Sequence, residues 1–363
     1  MAMTVLWLNL LFVFVCAALA RMAPLARQPG MLAPEGGPAP VPKPNKLLVA
    51  AAAASFVLVS GLRNNIGDTP FYMLNYYLLN PTFEGFSFEG DFGFSVLSIV
   101  LKKLTPDPQA LVFVTAFVTN VLIVTGLYRY SRMIEVSLFL YITTGMFTVS
   151  MNGIRQYLAA AILFAGTHWL IRGDWRRYFL IVLLAATFHN TAIIMLGVYF
   201  LVRRRAWTKT TMLLLALAVL AAIGFDQFFG VLLILIEGSH YTIYGQFDEG
   251  GANIIRVAVT GAPLLVAFLG RHKLRSIWPE SDLFVNMTML GFLFMVISVN
   301  NWIFARFNIY FGLYSLVLCS WIIPLFAERY RKLAYYGLLV LHLMYFYYEH
   351  VVALGLQYRS DYL

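Results

Sequence analysis

The chain has 363 residues, of which 61% are hydrophobic and only 12% charged, and its mean hydropathy is +0.76. Soluble domains carry roughly 25% charged residues, so this composition excludes an ordinary soluble protein and points to membrane-spanning helices. The net charge of +9 does not indicate a nucleic-acid partner, because the basic residues sit in short clusters at the ends of apolar runs, where membrane topology places them. Cys16 and Cys319 both lie inside apolar runs, which leaves no disulfide framework and no zinc spacing to consider.

In chain order, residues 4–20 form the first apolar run. Ala18-Leu19-Ala20 fits a small-x-small cleavage site, but no Lys or Arg precedes the run, so it reads as a first span and not as a signal peptide. A Pro/Gly-rich loop, 21–45, follows and is too rich in breakers to fold alone. Further apolar runs cover 46–62, 110–128, 134–151, 155–171, 178–201, 210–225, 253–270, 283–300, 307–327 and 333–350. A helical span needs about 20 such residues. No internal repeat is evident. The expected fold is all-α, a single transmembrane domain over 1–363 with about ten spanning helices.

Lys and Arg in the connections set the orientation. Arg21/Arg27/Lys43/Lys46, Arg129/Arg132, Arg172/Arg176/Arg177, Arg203–Arg205 with Lys209, Arg271/Lys273/Arg275 and Arg329/Arg331/Lys332 hold most of the 26 basic residues and mark the cytoplasmic side. The outer side then holds loops 63–109 and 226–252, the short connections 152–155 and 300–306, and the C-terminus. The run 178–201 breaks the alternation, since basic clusters flank both its ends. Its middle reads Thr187-Phe188-His189-Asn190-Thr191, which predicts a broken or re-entrant helical hairpin with His189 near the tip. Such backbone is tolerated at membrane depth only against protein or a water-filled cavity. The alternative is one tilted span that ignores the charge rule. With the hairpin, ten spans remain and both termini face outward.

The informative residues are arginines at the outer ends of spans: Arg63, Arg155, Arg256 and Arg306. Charges there are costly unless they face a cavity or find partners. Four guanidiniums converging on one outward cavity would suit a diphosphate, because Arg offers planar bidentate donors to phosphate oxygens. Acidic candidates are Asp68, Glu84, Glu89 and Asp91 in the first outer loop, and Asp226, Glu237, Asp248 and Glu249 in the later one. Glu89-Gly90-Asp91 is an acidic-x-acidic element of the kind that can hold a divalent ion, although three residues alone are a weak signal and no obligatory metal is expected. His240 reads as a solvated loop residue, and His189 stands out for its apolar surroundings. Tyr72, Tyr76, Tyr77, Tyr241, Tyr244 and Tyr310 fit a membrane-interface belt. No phosphate loop, HExxH or nucleophile elbow is present, which leaves nucleotide-driven and metalloprotease chemistry without support.

Several blocks together resemble the EpsG family of bacterial exopolysaccharide-cluster membrane proteins, regarded as Wzy-type polymerases. They are Gly61-Leu62-Arg63 with Gly67-Asp68-Thr69-Pro70-Phe71-Tyr72, Ile154-Arg155-Gln156-Tyr157-Leu158-Ala159, Ala185-Ala186-Thr187-Phe188-His189-Asn190-Thr191-Ala192, and Arg306-Phe307-Asn308-Ile309-Tyr310-Phe311 followed by Ile322-Ile323-Pro324. Thr191 stands where the family often has Ser, and Pro70 follows the acidic Asp68 where it alters the loop turn.

The resemblance implies an architecture like that of the GT-C-type lipid-linked-sugar glycosyltransferases and O-antigen ligases. It also implies an activity: joining oligosaccharide repeat units carried on undecaprenyl diphosphate at the outer face of the bacterial cytoplasmic membrane. Arg155, Arg256 and Arg306 are then expected on the diphosphate, and Arg63 either there or orienting the acidic loop. Gln156 and Tyr310 join them as substrate-binding candidates, and His189, Glu89 and Asp68, in that order, are candidates for the general base. No cofactor is expected. Flippase and chain-length proteins are expected partners. A flippase or exporter for the same lipid-linked sugar is the alternative reading, disfavoured by the missing repeat.

Overall fold

A computed structural model describes residues 3–23, 43–84, 86–224 and 250–363. Arg27 and most of the 21–45 loop lie outside these, as do Asp226, Glu237, His240, Tyr241, Tyr244, Asp248 and Glu249. Of the described residues, 78% are helical and none is in a strand; one isolated bridge pairs Arg63 with Ser360.

The helices follow the apolar runs, but they are more broken than the runs suggest. They are α1 (Thr4–Met22), α2 (Lys46–Gly61), α3 (Thr69–Leu78), α4 (Phe92–Leu104), α5 (Gln109–Tyr130), α6 (Ile134–Thr143), α7 (Met146–Asn152), α8 (Ile154–Ala165), α9 (Thr167–Arg172), α10 (Trp175–Phe188) and α11 (Met195–Val202). After α12 (Lys209–Ile223) come α13 (Ile254–Leu269), α14 (Arg271–Ile277), α15 (Ser281–Ile297), α16 (Ile309–Ile322) and α17 (Glu328–Tyr347). Among the described residues, three helices are long and apolar enough to cross a bilayer: Thr4–Met22, Gln109–Tyr130 and the continuous Trp302–Leu325. The number rises to five if the bent pairs α6–α7 (53°) and α13–α14 (82°) each count as one span. Helix length therefore does not reproduce the ten spans expected, because glycines and polar pairs interrupt the runs. Gly145, at φ +84°, separates α6 from α7 in a conformation that costs glycine least.

Helix α16 forms the centre. All its residues except Trp321 are buried, as expected of a helix apolar on every side. Tyr314 packs edge-on against Phe164 and shares a 2.9 Å hydrogen bond with Thr167. Helix α6 is likewise buried along its whole length; its Glu135 meets Arg21 in an ion pair.

Groups assigned inward by charge gather together. Arg129 reaches His168 at 2.8 Å, Lys273 donates to the Leu325 carbonyl at 3.2 Å, and Arg275 donates to the Ala206 carbonyl at 2.9 Å. The C-terminal residues are clasped to the loop after α2. The Tyr358 hydroxyl donates to the Val59 carbonyl (2.9 Å), the Ser360 hydroxyl to Leu62 (2.6 Å) and Asn64 Nδ2 to the Asp361 carboxylate (2.9 Å).

The run 178–201 doubles back on itself. Helix α10, capped by Asp174 accepting from the Arg177 amide, ends at His189, whose backbone is extended. A 3-10 turn, Asn190–Ile194, then leads into α11. The two ends meet again where the Tyr199 hydroxyl donates to the Gly173 carbonyl at 2.8 Å and the Tyr178 and Tyr199 rings stand 5.8 Å apart. His189 is at the tip of a helical hairpin.

Candidate functional site

A cavity of about 420 Å3 lies among the first turns of α8 and α13, the hairpin tip, the 3-10 turn Trp302–Asn308 and the π-helical turn Tyr348–Ala353. Local sequence explains why these ends converge. Asn253 caps α13 by accepting from the Ile255 amide, and Asn301 caps the 3-10 turn by accepting from Ile303, as Asn does at helix starts. The first leaves Arg256 in the first turn of α13, and the second starts the 3-10 helix whose last turn carries Arg306. Gly153 separates α7 from α8 and leaves Arg155 in the first turn of α8. Arg155, Arg256, Arg306, His189, Gln156 and Asp68 all line the cavity.

Asp91 stands behind the lining and organises one wall. Its Oδ2 lies 2.8 Å from Arg155 Nη1 and 3.1 Å from His189 Nδ1, while Oδ1 accepts from the Asn190 amide at 2.9 Å. Burial alone would raise this carboxyl. The His189 hydrogen bond and charge, the Asn190 amide and Arg155 together outweigh it and hold Asp91 below its ordinary range. An ionised carboxylate only accepts, so Nδ1–H of His189 is the donor in this contact. The Arg155 guanidinium is further bracketed by the rings of Tyr72 (5.8 Å) and Phe94 (6.0 Å), and its Nε donates to the Tyr72 hydroxyl at 3.3 Å.

The opposite wall carries the other two arginines. Arg256 donates through Nε (2.7 Å) and Nη2 to the same oxygen of Glu349. Glu349 is buried, as is its neighbour His350, which meets the Thr148 hydroxyl at 2.9 Å. Arg306 is exposed to the cavity, lies 4.6 Å over the Trp302 ring and has no ion-pair partner among the described residues. Gln156 reaches across to donate to the Arg306 carbonyl at 2.9 Å, which ties the start of α8 to the turn that presents Arg306.

Three of the four arginines thus converge, and Arg63 does not. It is 1% exposed and spends its donors on protein: Nε on Thr69 Oγ1 (2.9 Å), Nη1 on the Ser60 carbonyl and hydroxyl, and Nη2 on the Met151 carbonyl (2.6 Å). It lies outside the cavity lining and fixes the α2–α3 loop against the end of α7. Glu89 is exposed and is not a lining residue; Asp91, two residues on, is the carboxylate that meets Arg155 and His189. Asp68 lines the rim, its amide held by Asn152 Oδ1 at 2.9 Å. Tyr310 is buried and shares a 2.7 Å hydrogen bond with Thr191, so it steadies the hairpin tip from behind. Among the described residues, no three His, Cys, Asp or Glu side chains group as metal ligands do.

Sequence reasoning offers Asp91 only as an acidic candidate and as a partner of Glu89 in the acidic-x-acidic element, and it misses Glu349 and His350 altogether. The signal for the latter pair was an acid and a histidine side by side at the end of an apolar run, where ionisable groups default to function.

The EpsG family model matches residues 46–360. No curated protein and no solved structure matches the chain.

Proposed function

The chain belongs to the EpsG family, and on that premise we propose that it is a polymerase joining oligosaccharide repeat units carried on undecaprenyl diphosphate. Family membership and the apolar helices make it a membrane protein of polysaccharide biosynthesis; the lipid-linked substrate, the outer-face location in the bacterial cytoplasmic membrane, the ten-span topology and the GT-C-like architecture belong to the proposal. One observation carries it. A histidine with its orienting carboxylate and three arginines line or flank one cavity, which is the equipment a sugar transfer from a diphosphate requires.

In the proposed reaction, an acceptor sugar hydroxyl attacks the anomeric carbon of the donor. The new carbon–oxygen bond forms as the bond to the diphosphate breaks, and the lipid diphosphate departs with that electron pair. His189 takes the hydroxyl proton on Nε2 while Asp91 holds Nδ1–H, the pairing that general-base catalysis calls for. Arg306, Arg155 and Arg256 stabilise the charge gathering on the leaving diphosphate, the electrostatic contribution that is usually largest. Asp91 is a positioning residue here. Glu89 takes no part, and Asp68 sits at the rim where the acceptor would enter.

The test is polymerisation by the purified chain in lipid nanodiscs, given synthetic undecaprenyl-diphosphate repeat units, with and without EDTA. A ladder of longer lipid-linked glycans with lipid diphosphate released is expected in both arms. Protein that binds the donor yet yields no ladder would instead support a flippase or exporter.

A further inference from the structure

The first outer loop, 63–109, is not a solvated loop. It folds into α3 and α4, of 10 and 13 residues, each too short to span a bilayer. Helix α3 turns Thr69, Tyr72 and Tyr76 inward. Apart from Asn75, its exposed side is apolar as well: Phe71, Leu74, Tyr77 and Leu78 are each more than half exposed, as are Phe88 in the connection and Leu104 at the end of α4. A helix apolar over most of its surface is stable only when something apolar covers the outside too, and monomeric soluble surfaces rarely hold a contiguous apolar patch above a few hundred Å2.

The position of this patch identifies its cover. The ends of α3 and α4 meet where the Tyr76 hydroxyl donates to the Thr105 carbonyl at 2.9 Å and Lys102 Nζ to the Tyr77 carbonyl at 3.1 Å. Four residues after Thr105 the long span α5 begins at Gln109, so Leu78 and Leu104 lie at the level where a bilayer ends. There Lys102 stands 5.1 and 5.5 Å from the Tyr76 and Tyr77 rings, and Lys103 4.6 Å from Phe83. Lysines drawn along aromatic rings at such a level snorkel towards headgroups, and short amphipathic helices bury their apolar faces in this zone.

We propose that α3 and α4 dock on the outer leaflet of the bilayer, with Phe71, Leu74, Leu78 and Leu104 in its acyl region and Lys102 and Lys103 at its headgroups. The occupant is bilayer lipid, continuous with the lipid around α5. The consequence reaches the cavity, because this pair carries Tyr72, Phe94 and Asp91, the groups that hold Arg155 and His189. A lipid-seated pair keeps that wall in register with the membrane plane.

Spin labels measure the docking directly. Cysteines are placed singly at Phe71, Leu78, Leu104 and, for comparison, Glu89 of the full chain; Cys16 and Cys319 are buried and take no label. In nanodiscs, oxygen and a water-soluble nickel chelate compete to relax each nitroxide. Positions 71, 78 and 104 should favour oxygen several-fold over the ratio at 89. Nickel access at 78 and 104 equal to that at 89 would mean a solvated loop and overturn the proposal. Shielding from both reagents would mean a protein cover, a second copy or another chain, and would overturn it equally. Leu74 replaces any position whose variant does not elute as the native protein.

Discussion

Replacing Asp91 by Asn tests the site most directly, because it changes the chemistry of two contacts and the shape of none. The amide oxygen can still accept from the Asn190 amide at 2.9 Å. The other position, now NH2, faces Arg155 Nη1 at 2.8 Å and His189 Nδ1 at 3.1 Å, so donors oppose donors. A hydrogen bond to a charged group contributes about 1.5–3 kcal/mol. The Arg155 side chain is 40% exposed, and screening reduces its share towards the range of about 0.2–1 kcal/mol found for exposed pairs. The His189 contact, less exposed, carries most of the loss. General-base catalysis contributes about 10²–10⁴-fold, and a histidine released from its orienting carboxylate forfeits the lower part of that range or more. D91N should therefore lower kcat about 100-fold, while E89Q keeps the native rate. Both are read from initial rates of lipid-linked ladder formation in nanodiscs. D91N turning over at the native kcat, with a native melting curve, would refute the assignment of His189 and Asp91.

Arg306→Ala removes the cavity cation without an ion-pair partner among the described residues, and a lost charge-assisted contact of about 1.5–3 kcal/mol raises the donor Kd about 10- to 100-fold. Titration with the lipid-diphosphate donor measures this, and R306K should recover part of it. The Asp91 carboxyl is held below its ordinary range by its partners, so its contribution to stability is complete above the unfolded value of about 3.9 and is lost as pH falls through the lower folded value. Melting temperatures of the native chain and D91N should accordingly differ at pH 6 and converge below about pH 4, and parallel curves would contradict the linkage. Arg63→Met leaves the Met151 and Ser60 carbonyls without their buried donor, at about 1–3 kcal/mol for each unsatisfied group. The variant should melt earlier and synthesise less polymer in proportion to the folded protein lost, with the donor Kd of the folded fraction unchanged.

Much of this architecture is legible in the apolar runs, since periodic hydrophobicity reports which segments bury themselves and each run became a helix or a broken helix. The basic clusters around 178–201 announced a chain that returns to its starting side, and the polar middle of the run marked the tip. Other features depend on contacts that no local pattern encodes. Glu89 and Asp91 differ by two residues, and only the start of α4 at Phe92 decides which carboxylate turns toward the hairpin. Arg63 reads as one more outer arginine until the loop around it closes and its donors find carbonyls. Glu349 and His350 face the cavity through a π-helical turn, whose extra residue per turn shifts the register that a helical repeat predicts. Span number suffers from the same limit: hydropathy counts apolar residues but does not see where Gly145 or Gly153 breaks the helix.

The charge balance of the cavity bears on how the proposed reaction would turn over. Three guanidiniums with no counter-ions would grip a diphosphate in the ground state and grip the released lipid diphosphate more tightly still, and uniform binding does not raise kcat. Here Arg155 is already paired with Asp91 and Arg256 with Glu349, so each is oriented before substrate arrives and neither presents a full unmet charge. Arg306 provides the first attraction. As the anomeric bond breaks, the diphosphate gains negative charge beyond what it carried as a diester, and the two paired arginines can answer that increment at little cost in reorganisation. A prediction separates this account from a simple clamp. Glu349→Gln, which frees Arg256 from its carboxylate, should tighten binding of lipid diphosphate and slow multiple turnover while sparing the first transfer. A clamp would gain in both, so E349Q with faster multiple turnover would show that the carboxylates only dilute the charge.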